Sequence, residues 1–427
     1  MRIAVIGSGI AGLASSWLLA RAHDVTLFEA NDYLGGHTQT HDIELQGHRY
    51  AVDSGFIVYN RAHYPLLARL FDELGVASQP TTMSFSVRNE ATGLEYNAAS
   101  LKTLYCQRRN LLSWRFHGMA RDILRFYREA RELLQAGDDT TTLGEYLAGH
   151  GYGVAFRDEH LVPMASALWS SPSKQILEFP ARYLVAFLAN HNMLQVCGRP
   201  EWRVVRGGSA SYVRALRRDW RVRERLSASV YGVTRDASGV EICSAMGRER
   251  FDQVVLACHS DQALAMLTDA SDAERAVLGA IPYQANDVVL HTDARLLPRD
   301  PGAWAAWNAS VPRDPAEACT VSYCMNLLQG IETREPFVVT LNPVAAIDPA
   351  RILRRMRYCH PRYTHAAVAA QRRRPEIQGA NRTWFAGAYW GFGFHEDGIR
   401  SGVEVAQALG VDWPGTARAS RVPGRGA

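Results

Sequence analysis

Three features are scarce in this sequence of 427 residues: lysine, paired cysteine spacings and long apolar runs. No stretch approaches the ~18 consecutive apolar residues of a membrane-spanning helix. The first strand pattern begins at Ile3, which leaves no room for a signal peptide. We therefore expect a cytoplasmic protein, with peripheral contact at the inner membrane as an open alternative. Because the seven cysteines show no C-x-x-C or C-x-x-H spacing, neither a disulfide framework nor a metal site is predicted.

Only two of the 47 basic residues are lysines, Lys102 and Lys174. The net charge of +4 is modest, and no segment resembles a nucleic-acid-binding module, so no nucleic-acid partner is expected. Arginines interleave with apolar residues from 101 to 134, a region predicted to be helical. This region is either an ordinary surface helix over a core or a basic face for a membrane surface, and the pattern leaves both open.

A glycine motif at the start of the chain predicts a dinucleotide site. A short apolar strand leads into the pattern G-x-G-x-x-G, formed by Gly7, Gly9 and Gly12, and then into a helix. Gly7 permits a tight turn, Gly9 lets the backbone approach a pyrophosphate, and Gly12 lets helix and strand pack closely. We expect the first helical N–H groups, around Ile10 and Ala11, to point at the phosphates.

A second strand, over 24–29, ends in the acid Glu29, followed by Ala30. Glu29 lies about 20 residues past the glycine motif, where a carboxylate accepts hydrogen bonds from a ribose hydroxyl. Two adjacent glycines, Gly35 and Gly36, then precede His37. This segment resembles the E-A-x-x-x-x-G-G-R motif of the flavin amine oxidase superfamily. The family usually has arginine where this chain has His37, a residue that donates to phosphate in a manner that depends on pH.

A third signature lies near the C-terminus, where a strand over 382–385 leads into a loop rich in glycine and aromatic residues and then a helix. It looks like the final flavin motif of the same family, whose helix N-terminus faces the N1/O2 edge of the isoalloxazine. Two weaker elements fit the same pattern, a D-x-G element and a strand whose valine backbone contacts adenine. The cofactor-contacting residues that the resemblance implies here are Gly55, Phe56, Val230, Gly387, Phe394, Glu396, Asp397 and Gly398.

The resemblance implies an α/β fold, a Rossmann-like FAD-binding domain of glutathione-reductase type with an inserted α+β substrate domain. The FAD-binding domain is expected to be discontinuous, over 1–80, 200–268 and 375–411. The substrate domain is expected over 81–199 and 269–374, and a disordered tail over 412–427. The oligomeric state is not predicted.

The implied activity is that of an FAD-dependent oxidoreductase. Within the superfamily the chain looks most like a bacterial group associated with modification of membrane fatty acyl chains. That resemblance suggests hydride abstraction from a hydrophobic small molecule or lipid, such as desaturation of an acyl chain. Three alternatives stay open: a peroxide-producing amine oxidase, a non-turnover flavin and lipid-binding partner of a methyltransferase, and redox-neutral flavin chemistry of the sugar-mutase kind.

The scarcity of lysine bears on this choice. Many amine oxidases hold a water at flavin N5 with a lysine of the later substrate-domain segment, and this chain has none after Lys174. Hydride transfer from carbon needs mainly alignment and a dry pocket. No catalytic base is assigned. His191, His360 and His395 are candidates by residue type, with His395 favoured by its place in the third signature.

Overall fold

The computed structural model describes residues 1–137, 139–169, 173–314, 319–343 and 347–414. Most of the predicted disordered tail, over 415–427, lies outside the described residues.

Twenty strands are described, and in chain order they are β1 (Arg2–Ile6), β2 (Asp24–Phe28), β3 (Thr40–Leu45), β4 (His48–Asp53), β5 (Val58–Asn60), β6 (Ser78–Thr81), β7 (Phe85–Asn89), β8 (Glu95–Asn97), β9 (Trp202–Val205), β10 (Val222–Arg225), β11 (Val230–Asp236), β12 (Gly239–Ser244), β13 (Gly247–Phe251), β14 (Gln253–Leu256), β15 (Tyr283–His291), β16 (Trp307–Val311), β17 (Thr320–Cys324), β18 (Val338–Leu341), β19 (Ile352–Pro361) and β20 (Thr383–Phe385).

Sixteen α-helices are described, and in chain order they are α1 (Ile10–Leu19), α2 (Pro65–Leu74), α3 (Leu101–Leu104), α4 (Trp114–Glu129), α5 (Glu132–Ala136), α6 (Leu143–Gly149), α7 (Val154–Phe156), α8 (Val162–Trp169), α9 (Ser173–Leu177), α10 (Ala181–Asn190), α11 (Ala210–Leu216), α12 (Ser260–Met266), α13 (Asp272–Leu278), α14 (Met325–Gln329), α15 (His365–Arg372) and α16 (His395–Ala408). None of the helices in these described ranges has both the length and the apolar composition needed to cross a bilayer.

A parallel five-stranded sheet carries the N- and C-terminal signatures. Its strand order is β10-β2-β1-β14-β20, and every neighbouring pair is parallel. The inner strands are apolar and buried, as expected for a parallel sheet covered on both faces. Because the carboxyl ends of parallel strands meet at one edge, the loops after β1, β2, β14 and β20 converge there.

Helices α1 and α16 pack unusually closely beside this edge. A Cβ built at Gly398 would lie 2.6 Å from Ile10 Cγ2, and one at Gly402 would lie 2.6 Å from the Ala11 carbonyl oxygen. Only glycine allows this distance between the two helices. The first and last segments of the fold therefore form one packed unit.

A second, seven-stranded sheet faces the first across a cavity. Its order is β19-β15-β18-β17-β16-β7-β8, and all pairs are antiparallel except β16 with β7. Helices α4 to α10 cover part of it through a core of aromatic and aliphatic side chains. The parallel sheet beside this mixed α+β region confirms the predicted α/β fold with its Rossmann-like part.

The region 101–134 differs from the single long helix that its composition predicts. It consists of α3, a 3-10 turn over Arg108–Leu112, α4 and the start of α5. Ser100 and Ser113 each cap the helix that follows, because their hydroxyls accept backbone N–H groups of the first turn. Two serine caps divide the region where apolar periodicity alone shows no break.

Candidate functional site

One cavity of about 1260 Å³ lies between the two sheets. Its lining divides into two parts. The glycine-rich part is lined by the loops at the carboxyl edge of the parallel sheet, with Gly7, Gly9, Gly35, Gly36 and Gly55. The apolar part is lined by helices and by the seven-stranded sheet, with Met83, Phe85, Met164, Trp169, Phe187, Met193, Trp307 and Tyr323.

The N-terminus of α1 opens into the glycine-rich part. Its N-cap, Gly9, makes no side-chain capping bond, and the first turn carries no acid. A Cβ at Gly9 would meet no atom within 4 Å, whereas one at Gly12 would lie 1.9 Å from the Gly7 carbonyl oxygen. Uncapped N–H groups beside open space fit a diphosphate. Gly7, Gly9, Ile10 and Ala11 line the cavity, and Gly12 holds the turn instead.

Glu29 links the first two signatures. Its Oε2 accepts hydrogen bonds from the Ser8 backbone N–H at 3.0 Å and from the Ser8 hydroxyl at 2.6 Å. Its Oε1 accepts from the backbone and side-chain amides of Asn31. Glu29 and Ala30 both line the cavity. The carboxylate therefore holds the glycine turn in place while it remains at the wall where a ribose is predicted.

The second signature folds onto the first. A Cβ at Gly36 would lie 3.1 Å from Gly9 Cα, and a Cβ at Gly55 would lie 2.0 Å from the His37 carbonyl oxygen. Gly35, Gly36, His37, Gly55 and Phe56 all line the cavity. These close backbone approaches leave a groove that fits an extended dinucleotide cofactor.

The hydrogen bonding of the His37 ring differs from what a phosphate contact requires. Burial and the neighbouring His259 lower the pKa of His37 to about 4. The Cys359 carbonyl accepts a hydrogen bond from the ring, while Nε2 is buried and has no partner among the described residues. Because Nδ1 carries the proton of the neutral ring, Nε2 is an acceptor that suits a hydroxyl group. Donation to phosphate would require protonation.

Further side chains from distant segments surround His37. The rings of Tyr358, His360 and His259 lie 4.9, 5.4 and 6.1 Å from it. Sequence reasoning missed His259 and Tyr358 as lining residues. The position of His259 in the loop between β14 and α12 could have indicated it, because loops at strand carboxyl ends form such sites. His360, a candidate base by type, accepts at Nδ1 from the Asn286 amide at 2.8 Å, and burial lowers its pKa to about 3.

The third signature contributes Gly387, Phe394 and His395 to the cavity lining. Glu396 accepts hydrogen bonds from the Leu66 and Leu67 backbone N–H groups, each at 3.1 Å, at the start of α2, and burial raises its pKa to about 7. Asp397 accepts from loop N–H groups, and Gly398 packs on α1. The lining does not include Gly12, Glu396, Asp397 and Gly398. Contact with a cofactor stays a prediction for these four residues and for the predicted residues that do line the cavity.

His395 lies at the wall, but its ring is engaged. It stacks on Phe56 with ring centroids 3.7 Å apart. Its Nε2 lies 3.0 Å from the Thr38 hydroxyl and 3.3 Å from that of Tyr212. Burial lowers the pKa of His395 to about 3. These contacts favour a role in positioning Phe56 over a role as a base.

One buried acid and one strand lie beside the loops of the glycine-rich part. Asp53 of the D-x-G element accepts from the Ser209 backbone N–H at 2.9 Å and from the Thr40 hydroxyl at 2.5 Å. It therefore joins β4 to the turn before α11, and burial raises its pKa to about 6. Val230, at the start of β11, lines the cavity, and its contact with adenine stays a prediction.

The apolar part contains two histidines whose tautomers the contacts define. His191 lies 3.0 Å through Nδ1 from the Phe187 carbonyl, so Nδ1 donates and Nε2 is an acceptor. Tyr96 donates its hydroxyl proton to the Glu159 carbonyl and therefore accepts from His160 Nδ1. The pKa of each histidine is lowered to about 4 by burial. His160 Nε2 is enclosed by protein.

Neither lysine of the chain lies at this cavity. Lys102 and Lys174 are both exposed, on α3 and α9, and neither belongs to the lining. Across the part of the chain that the structure describes, no set of three or more histidine, cysteine or acidic side chains is arranged to hold a metal ion.

Solved structures share this fold across nearly the whole chain. The CLA-producing fatty acid isomerase from P. acnes is 18% identical, with a TM-score of 0.65, and the match covers 96% of this chain and 99% of that one. Cyclohexylamine oxidase from Brevibacterium oxydans IH-35A is 16% identical, with a TM-score of 0.68 and coverage of 96% and 98%. Putrescine oxidase bound to putrescine is 15% identical, with a TM-score of 0.65 and coverage of 96% and 99%.

The family model for flavin-containing amine oxidoreductases matches residues 10–337, more than half of the chain. The predicted family, enzyme class and cofactor are thereby confirmed. With its uncapped α1 and its glycine-lined groove, this protein belongs to the flavin-containing amine oxidoreductase family and is an FAD-dependent oxidoreductase.

Proposed function

We propose that this protein removes two hydrogen atoms from adjacent carbons of a fatty acyl chain and leaves a double bond. The observation that carries the proposal is the apolar part of the cavity, which continues directly from the glycine-rich part. Methionine, aromatic and aliphatic side chains form its walls, and such a surface favours a long hydrocarbon over a charged substrate.

The absence of lysine from the lining supports the same choice. An amine oxidase of the usual arrangement would have a lysine near the flavin, and the lining contains none. The fatty acid isomerase from P. acnes, named for a lipid substrate, shares the fold. The cyclohexylamine and putrescine oxidases share it equally, so amine oxidation is the alternative that the experiment must exclude.

The chain's own residues have distinct tasks in this reaction. Bound FAD supplies the two-electron acceptor for a hydride from carbon. The apolar walls align the acyl chain and exclude water. His191 Nε2, which carries a lone pair because Nδ1 donates to Phe187, takes the proton from the adjacent carbon. Repeated turnover would also require an oxidant, dioxygen or another two-electron acceptor.

An anaerobic absorbance titration of the FAD-loaded protein tests the proposal. The titrants are a phospholipid extract dispersed in detergent and, in parallel, a panel of primary and secondary amines. We expect the lipid to bleach the oxidised flavin band, and mass spectrometry to find acyl chains lighter by two hydrogens. The amines should leave the band unchanged.

Other outcomes have defined meanings. Bleaching by an amine alone would overturn the proposal and restore the amine chemistry for which the family is named. If neither titrant reduces the flavin, desaturation is also excluded. A lipid that binds without reduction would then indicate the non-turnover role, and no lipid binding would direct attention to redox-neutral chemistry.

A further inference from the structure

A cluster of exposed apolar side chains lies between Leu101 and Trp114. Trp114 is 89% exposed, Leu112 88%, Leu101 77% and Leu111 53%. Single exposed apolar residues are common on soluble proteins, but four large ones within fourteen residues mark an interaction surface. We call these four residues the apolar rim.

Local structure holds the apolar rim outward. Ser100 and Ser113 cap α3 and α4, and His117 Nε2 lies 2.9 Å from the Leu111 carbonyl oxygen. Asn110 and Phe116, which flank the most exposed positions, are buried. The exposed side chains therefore project from a backbone anchored on both sides, so they are presented at little further cost in conformational entropy.

The segment that carries the apolar rim is mostly basic in sequence. Residues 101–128 contain seven basic side chains and a single acid, Asp122, which is buried. Lys102 and Arg108 are exposed, and neither forms an ion pair with another described residue. Apolar side chains flanked by free cations complement an anionic phospholipid surface, with tryptophan at the level of the headgroups.

The apolar part of the cavity reaches the same place. Ala98 and Ala99 line it, and Ala99 is two residues from Leu101, a span of at most about 7 Å. Tyr127, also in the lining, lies one turn after the exposed Leu124 on α4. The cavity wall therefore lies only a few residues from the apolar rim, where a hydrocarbon chain would leave the bilayer.

We propose that the apolar rim, with Lys102 and Arg108, is a docking surface for an anionic phospholipid bilayer and places the cavity at acyl-chain depth. The inference deepens the proposed function, on which its choice of substrate rests. Bilayer binding itself needs no turnover, so the two proposals fail separately.

Co-sedimentation of the full-length FAD-loaded protein with vesicles tests the surface. The vesicles are pure phosphatidylcholine or phosphatidylcholine mixed with phosphatidylglycerol. We expect binding to the anionic vesicles that weakens with added salt. Leu112→Ser combined with Trp114→Ser should reduce it at least tenfold, and Lys102→Glu with Arg108→Glu should reduce it for anionic vesicles only. FAD content and melting temperature report folding in each variant.

Met246→Ser with Leu327→Ser is the matched control, because these residues are also exposed but lie elsewhere in the chain. This control should bind vesicles like the unmodified protein. Unchanged binding of the Leu112/Trp114 variant would overturn the proposal. If the unmodified protein does not bind vesicles but self-associates through the apolar rim, the apolar rim is a contact between copies of this chain, and the proposal is overturned. Flavin reduction by detergent-dispersed lipid should persist in every variant of the apolar rim. If the unmodified protein shows no such reduction, that result counts against desaturation and leaves the docking surface unaffected.

Discussion

The two parts of the cavity are built in opposite ways. In the glycine-rich part, backbone approaches backbone, and a Cβ at Gly12 or Gly55 would come within about 2 Å of a carbonyl oxygen. In the apolar part, side chains from helices and from the second sheet form the wall. Binding of one particular cofactor needs a fixed backbone geometry. Binding of a hydrocarbon needs a cavity of suitable shape that excludes water, and many combinations of apolar side chains provide one.

The largest expected effect is loss of FAD, and two glycines of the same motif should differ in whether stability is lost with it. Gly9→Val should abolish FAD binding with little change in the melting temperature of the apoprotein, because its side chain enters open space. Gly12→Val should lose FAD and also cost about 3 kcal/mol of unfolding free energy, since it displaces the Gly7 carbonyl. Flavin absorbance per protein and thermal unfolding measure both. Retention of FAD by Gly9→Val would refute the close approach of the cofactor.

The next prediction compares the two histidines of the apolar part. His191→Gln should slow anaerobic flavin reduction roughly a hundredfold, the usual contribution of a proton acceptor. His160→Gln is the control and should stay within a few-fold, because His160 Nε2 is enclosed by protein. Stopped-flow absorbance measures both rates. Equal rates for His191→Gln and the unmodified protein would show that His191 is not the proton acceptor.

A third change narrows the apolar part alone. Met193→Trp should raise the lipid concentration needed for half-maximal flavin reduction about tenfold, because the indole is larger than the methionine side chain and occupies space that the hydrocarbon would fill. FAD content should not change. Met193→Leu, which nearly conserves volume, is the control. If FAD content falls with Met193→Trp, the two parts are not independent.

The smallest effect concerns pH. Burial lowers the pKa values of His37, His259, His360 and His395 to about 3 or 4. Between pH 6.5 and 4 these histidines bind more protons in the unfolded chain than in the folded one, so their contribution to the unfolding free energy should fall as pH falls. In urea unfolding of the apoprotein, His360→Gln should make this loss of unfolding free energy smaller. An unchanged pH dependence would mean that His360 is already charged in the folded protein.

The sequence predicted the glycine-rich part well because its determinants are local. The turn at Gly7, the helix that follows and Glu29 lie within one short segment, and the structure places them together. The apolar part could not be predicted in this way. Met83, Trp169 and Trp307 come from segments far apart in the chain, and their apolar character is equally typical of a core. His259 could have been predicted only by combining its position in the loop after β14 with the convergence of such loops at one edge of a parallel sheet.

The close contact between α1 and α16 has a consequence for biosynthesis. Gly398 and Gly402 seat the last helix against the first, and β20 adds the final edge of the parallel sheet. Residues separated by nearly the whole chain thus complete one wall of the groove. Almost the entire polypeptide must therefore leave the ribosome before that wall can form, and we expect a chain that stops before α16 to bind no FAD.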